Sequence, residues 1–148
     1  MPPTKEDPLP TGVTIRDDLT DMDRKTVAVL GASTDRAKYS NKAVRAYVRA
    51  GWEVYPVNPH GGEIEGLHVY RSLSGTPDGL DRVTVYLPPA VGLKTLFEIV
   101  GAAPKELYIN PGAESEALIF EAKRLGLSPI LACSIIEVGA TPGEFPDE

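Results

Sequence analysis

Residues 26–58 read TVAVLGASTDRAKYSNKAVRAYVRAGWEVYPVN, and three changes of pattern inside this stretch decide the fold. Thr26 to Leu30 is a short apolar run rich in β-branched residues and closed by Gly31, as expected of a strand buried on both faces. From about Asn41 to Ala50 the period changes: Ala43, Val44, Tyr47, Val48 and Ala50 recur on one side, with Lys42, Arg45 and Arg49 largely on the other. That is an amphipathic helix, starting near Ser40 or Asn41 and stopped by Gly51. Glu53 to Asn58 reads as a second strand, ended by Pro59 and the Gly61-Gly62 pair.

The alternation continues along the chain. His68 to Arg71 reads as a short strand after a turn at Gly66, and Val83 to Leu87 as a clear one stopped by Pro88-Pro89. Leu93, Leu96, Phe97 and Val100 form the stripe of a following helix. Glu106 to Ile109 is a strand, Glu114 to Leu125 a helix with Leu118, Ala122 and Leu125 inward, and Ser128 to Ala132 the last strand. Strands alternating with ten-residue helices imply right-handed crossovers and a parallel sheet covered on both faces. The expectation is a single α/β domain, Rossmann-like and doubly wound, with about five strands.

Outside this core, prolines 2, 3, 8 and 10 make the first dozen residues an extended arm, followed by a short helix on Ile15, Leu19 and Met22. The organisation is then arm and helix over 1–25, domain over 26–137 and a solvated acidic tail over 138–148. The 148 residues carry a net charge of −6, and its distribution matters more than its size. Residues 1–25 contribute −2 and residues 134–148 contribute −4, leaving residues 26–133 neutral. Within that neutral core, residues 31–62 hold five bases (Arg36, Lys38, Lys42, Arg45, Arg49) against two acids (Asp35, Glu53).

Several function classes drop out. No run approaches the roughly 18 apolar residues of a membrane span, and the first residues lack the apolar core of a signal peptide, so a cytoplasmic protein is expected. One cysteine and two histidines cannot build a zinc-type cluster, and no broad basic surface invites nucleic acid. No G-x-x-x-x-G-K-[ST] occurs, and Ser33 and Ser134 lack the flanking glycines of a nucleophile elbow. No catalytic constellation is visible. Cys133, after Pro129 to Ala132, is read as a small buried thiol, with a ligand-facing position as the alternative. His68 is read as structural.

In a doubly wound sheet the ligand lies outside the carboxyl ends of the strands, where strand order reverses. The first such loop, Gly31 to Arg36, matches only the first glycine of a dinucleotide fingerprint, with Ser33 and Arg36 at the other two positions. Backbone amides after Gly31, the hydroxyls of Ser33 and Thr34 and a helix N-terminus still form an anion site, with Arg36 and Lys38 the favoured cations. Lys42, Arg45 and Arg49 are equally well read as a solvated helix face. At the end of the second strand, where an NAD protein places an acid on the ribose, stands Asn58, with no acid before Glu63. His60 lies in the same loop, within reach of an anion.

Taken together, TVAVLGAS (26–33), GWEVYPVNP (51–59), Leu87-Pro88-Pro89 and YINPGAES (108–115) resemble the small stand-alone coenzyme A-binding domain proteins, which are similar to the N-terminal domain of the succinyl-CoA synthetase α-subunit. The resemblance runs from about residue 25 to residue 137. It implies that the first loop, Gly31 to Arg36, with Gly31, Ala32, Ser33, Thr34 and Arg36, wraps the phosphates of coenzyme A, next to Lys38. Val57, Asn58, Pro59 and His60 would lie near the nucleotide, and Leu87, Pro88, Asn110, Pro111 and Gly112 along the adenine or pantetheine. The fourth loop departs from the Gln-containing segment of many small members. The synthetase's catalytic histidine belongs to a second domain, so ligase activity is not implied. The expected function is binding of coenzyme A or an acyl-CoA without catalysis, as a homodimer or with a partner protein. The alternative is an NAD(P)-dependent oxidoreductase or nucleotide sensor, strongest for NADP, with Arg36 on the 2′-phosphate.

Overall fold

The computed structural model describes residues 24–148. The expected helix on Ile15, Leu19 and Met22 lies outside them. The elements in chain order are β1 (Thr26–Leu30), α1 (Tyr39–Arg49), β2 (Glu53–Val57), β3 (Glu63–Ile64), β4 (Leu67–His68) and β5 (Arg82–Val85). They continue with α2 (Pro89–Ala102), β6 (Glu106–Ile109), α3 (Glu116–Arg124), β7 (Pro129–Leu131) and α4 (Ser134–Glu137). Five strands form one parallel sheet in the order β2-β1-β5-β6-β7. The chain runs outward from β1 to β2, then returns across β1 to β5, so strand order reverses between β1 and β5.

Alternation along β1 shows why both faces are covered. Ala28 and Leu30 join Val83, Val85, Leu107 and Ile109 against Leu96, Ile99, Leu118 and Ala122 of α2 and α3. Val27 and Val29 point the other way, onto Val44 and Tyr47 of α1. A strand with no solvent face needs apolar residues at successive positions, which is what Val27 to Leu30 supply. Pro56 fits within β2 because β2 is an edge strand, where a missing N–H costs no ladder bond.

Three expectations are corrected. The strand placed at His68 to Arg71 is instead half of an antiparallel hairpin, β3–β4, separate from the main sheet. Its two-residue turn, Glu65-Gly66, has φ of +52° and +78°, and Tyr70 beyond it makes one parallel bridge to Val57. Two-residue strands carry no readable period, so the register could not be inferred. On α2 the inward face is Gly92, Leu96 and Ile99, whereas Phe97 is 73% exposed and Leu93 and Val100 each 37%. The helix is apolar nearly all round, and the deciding residue is Gly92, where a Cβ would stand 3.5 Å from Leu118.

The third correction concerns residues 138–148, which are not a solvated tail. Ala140 and Phe145 are buried in a cluster with Ala43, Ala46 and Ile135, and the segment lies along α1. Cys133 packs half-buried against the same cluster. Smaller differences affect element ends. α1 begins one or two residues earlier than expected, and β5 ends at Val85, beyond which the Tyr86 amide still donates to the Leu30 carbonyl at 2.9 Å.

Candidate functional site

Parallel strands bring their carboxyl ends to one edge, and there the first two loops are tied together. The amides of Gly31 and Ala32 both donate to the Val57 carbonyl, at 3.1 and 3.2 Å. Asn58 Nδ2 donates to the Ala32 carbonyl at 2.7 Å, while its Oδ1 accepts from the His60 amide at 2.8 Å. The Asn58 side chain therefore joins the loops. Gly31 adopts φ +86°, and a side chain there would in addition meet the Tyr86 backbone at 3.2 Å, so two independent reasons favour glycine.

Beyond Ala32 the loop is shaped by its own short side chains. Ser33 Oγ accepts from the Asp35 amide and Asp35 Oδ1 from the Ala37 amide, each at 3.0 Å. Asn41 Nδ2 donates to the Ser33 carbonyl at 2.8 Å. Among the described residues, the amides of Ser33, Thr34 and Arg36, and those of Tyr39 and Ser40 in the first turn of α1, donate to no other group. The residue preceding α1, Lys38, supplies no side-chain cap. Unused amides in a loop followed by an uncapped helix N-terminus make a donor set suited to a phosphate or diphosphate.

Beside this loop, at the reversal between β1 and β5, lies a cleft of about 130 Å³. Leu30, Gly31, Val57, Pro59, Leu87 and Val91 line it, with Arg71, Ser72, Thr95 and Glu98 at its polar margins. Gly31, Val57, Pro59 and Leu87 of the expected site are thus gathered around one space. Exposed Pro88 caps the start of α2 next to it. Arg71, whose Nη1 lies 3.4 Å from the Pro59 carbonyl, was not expected from sequence. It arrives because Tyr70 N–H donates to the Pro56 carbonyl and Asn58 N–H to the Tyr70 carbonyl, each at 2.9 Å, extending β2 sideways. No local signal at residue 71 could have revealed that pairing.

Other expected residues sit apart from the cleft lining. Asn110 is fully buried: Nδ2 donates to Thr84 Oγ1 and the Val85 carbonyl at 2.7 and 3.0 Å, and Oδ1 accepts from the Ser134 amide at 2.8 Å. Its side chain is consumed in joining β5, β6 and α4. Pro111 and Gly112, the latter at φ +93°, are exposed at the carboxyl end of β6. Nearby, burial pushes the Tyr86 phenol well above its ordinary range; its oxygen lies 3.4 Å from Ser134 Oγ.

The positive excess of residues 31–62 does not survive folding as a free field. Arg36 Nε lies 3.2 Å from Glu65 Oε2, Lys42 Nζ 2.6 Å from Asp147 and Arg49 Nη2 2.6 Å from Glu144. Arg45 Nε donates to Asn41 Oδ1, and its Nη2 to the carbonyls of Arg36 and Pro146. Glu65 comes to the first loop from the hairpin turn, so that although no acid follows Asn58 before Glu63 along the chain, a carboxylate from beyond that loop stands beside Arg36 and Asn41 in the fold. The NADP alternative gave Arg36 the 2′-phosphate in place of a missing acid, whereas the Glu65 carboxylate already stands beside that guanidinium. Among the described residues Lys38 has no acidic partner.

A family model described as a CoA binding domain matches residues 25–139. The chain is 29% identical over 137 residues to the α-subunit of an ADP-forming acetate–CoA ligase I from Pyrococcus furiosus, covering 82% of this chain and 29% of that one. A conserved hypothetical protein from Pyrococcus furiosus, of solved structure, is 39% identical with a TM-score of 0.70, covering 77% of this chain and 98% of that one. A dinucleotide-forming acetyl-coenzyme A synthetase 1 from Ca. Korarchaeum cryptofilum, solved with phosphate and ADP, is 25% identical with a TM-score of 0.61, covering 79% and 28%. The chain spans less than a third of the length of the curated relatives it matches.

Proposed function

This chain belongs to the CoA binding domain family, and from that membership we propose that it binds coenzyme A or an acyl-CoA at the edge formed by the first two loops and the adjoining cleft, without catalysis of its own. The observation that carries the reading is the set of unused amides from Ser33 to Ser40 beside an apolar cleft at the strand-order reversal. A diphosphate accepts several N–H bonds at once and complements the helix dipole, so the loop takes the charged part of the ligand. Leu30, Val57, Leu87 and Val91 offer the apolar surface that an adenine ring or pantetheine arm covers, and Arg71 stands where it can reach a phosphate. Asn58 and Asn110 act by holding the loops rather than by touching ligand. A cytosolic setting goes with this reading. No helix among the described residues is long and apolar enough to cross a membrane.

Titration calorimetry with coenzyme A, dephospho-coenzyme A and NADPH in parallel tests it. Coenzyme A is expected to bind most tightly, and Arg71→Gln to weaken it about tenfold, equivalent to about 1.4 kcal/mol. Absence of any heat or thermal stabilisation with coenzyme A would remove the reading. Tighter binding of NADPH would transfer the site to the dinucleotide class.

A further inference from the structure

The cations of α1 are met by a single short stretch of chain. Lys42, whose side chain is only 9% exposed, has its ammonium 2.6 Å from Asp147 Oδ1. Arg36 Nη1 donates to the main-chain oxygen of Glu148 at 2.6 Å, and Arg45 Nη2 to that of Pro146 at 2.9 Å. Arg49 pairs with Glu144. Phe145, 6% exposed, is the hydrophobic anchor, with the Arg49 and Arg45 guanidinium carbons 4.6 and 5.7 Å from its ring centroid. Five consecutive residues thus engage four cations, one of which, Arg36, belongs to the loop with the unused amides.

We propose that residues 144–148 are an acidic strap that competes with the phosphate groups of a bound ligand for Arg36 and Lys42, so that the strap sets ligand affinity and is displaced at its 146–148 end when ligand binds. The inference rests on the coenzyme A reading of the same loop. Three features suit a displaceable contact. Asp147 is mostly exposed although its partner Lys42 is not, so the pair can open to water on the strap side. Arg36 Nε is shielded from solvent and, despite its nearness to Glu65, has no hydrogen-bond acceptor, so its guanidinium is only partly satisfied by the contacts it has. Burial and the neighbouring Arg36 charge lower the Arg45 pKa, while Glu65 and Asp147 counter them; a second anion beside these two arginines has a field to enter once the strap moves. Besides the Lys42–Asp147 pair, two hydrogen bonds from arginines to main-chain oxygens hold the distal strap, and Phe145 keeps its root in place while the distal residues exchange.

The test uses the full chain. Coenzyme A affinity is measured for the wild type, for a Glu144→Gln/Asp147→Asn variant, and for a Glu116→Gln/Glu121→Gln control on α3 that matches the change in net charge. Hydrogen exchange of residues 141–148 is followed in the wild type with and without saturating coenzyme A. The strap variant is expected to bind about fivefold more tightly than both other proteins, and exchange over 146–148 to rise when ligand is added. Equal or weaker binding by the strap variant, equal gains in the control, or exchange over 146–148 that slows with ligand each overturn the strap while leaving the coenzyme A site standing. Failure of all three proteins to bind coenzyme A overturns both.

Discussion

Gly31 and Asn110 illustrate two ways in which one residue holds a loop edge together. At Gly31 the backbone is left-handed and a Cβ would press on the Tyr86 main chain, which cannot yield without shifting β5. Gly31→Ala is expected to cost about 1–3 kcal/mol in urea unfolding, through the strain of the positive φ and the close contact. Asn110→Ala leaves the Ser134 amide and the Thr84 hydroxyl short of a buried partner, with an expected loss of about 2–3 kcal/mol by the same measurement. Both positions were legible in sequence as special, Gly31 by closing an apolar run and Asn110 by following one. What sequence could not distinguish was a side chain turned to ligand from one turned to scaffold, because that depends on which strand end lies opposite. Glu65 makes the same point in reverse: it is distant from Arg36 along the chain and beside it in space.

At the level of single elements, amphipathic period located every long helix but did not always choose its buried face. On α1 the expected Ala43, Val44 and Tyr47 are buried, together with Ala46, but Val48 and Ala50 of the same stripe are exposed, and Lys42, expected on the solvated face, is buried. α2 has apolar residues on most sides, so several stripes satisfy the same spacing, and the closest approach to α3 is on the face that carries Gly92, where a Cβ would stand 3.5 Å from Leu118. Leu96→Ala should therefore cost about 2–5 kcal/mol as a core cavity, whereas Phe97→Ser should change stability by no more than about 0.5 kcal/mol. Chemical unfolding of the two variants decides between this face and the stripe through Phe97. β1 and β6 were readable because a strand buried on both faces needs successive apolar residues, and β5 because its β-branched Val83, Thr84 and Val85 are bounded by Pro88-Pro89. The hairpin β3–β4 was not, since two residues per strand set no pattern.

For the whole molecule, charge is where local and global readings part. The acids of residues 138–148 and the bases of α1 look independent in sequence, yet they are paired in the fold. Acid stability follows from similar contacts. Asp81 accepts from the Thr26 amide and hydroxyl at 2.9 and 3.2 Å and pairs with Lys105 at 3.1 Å, which holds its carboxyl below the usual range. A carboxyl depressed in the folded state contributes stability that is fully present above its unfolded pKa and is lost as pH falls through the folded value. Thermal stability should therefore drop as pH is lowered from about 5 toward 2, and less steeply in Asp81→Asn. The succession of strands and helices and the parallel sheet follow from period and punctuation along the chain, because burial on two faces imposes patterns visible within ten residues. The partners of each cation, the approach of Arg71 and Glu65 to the first loops and the inward face of α2 were decided only in three dimensions, because each depends on contacts between segments whose spacing in sequence carries no periodic signal.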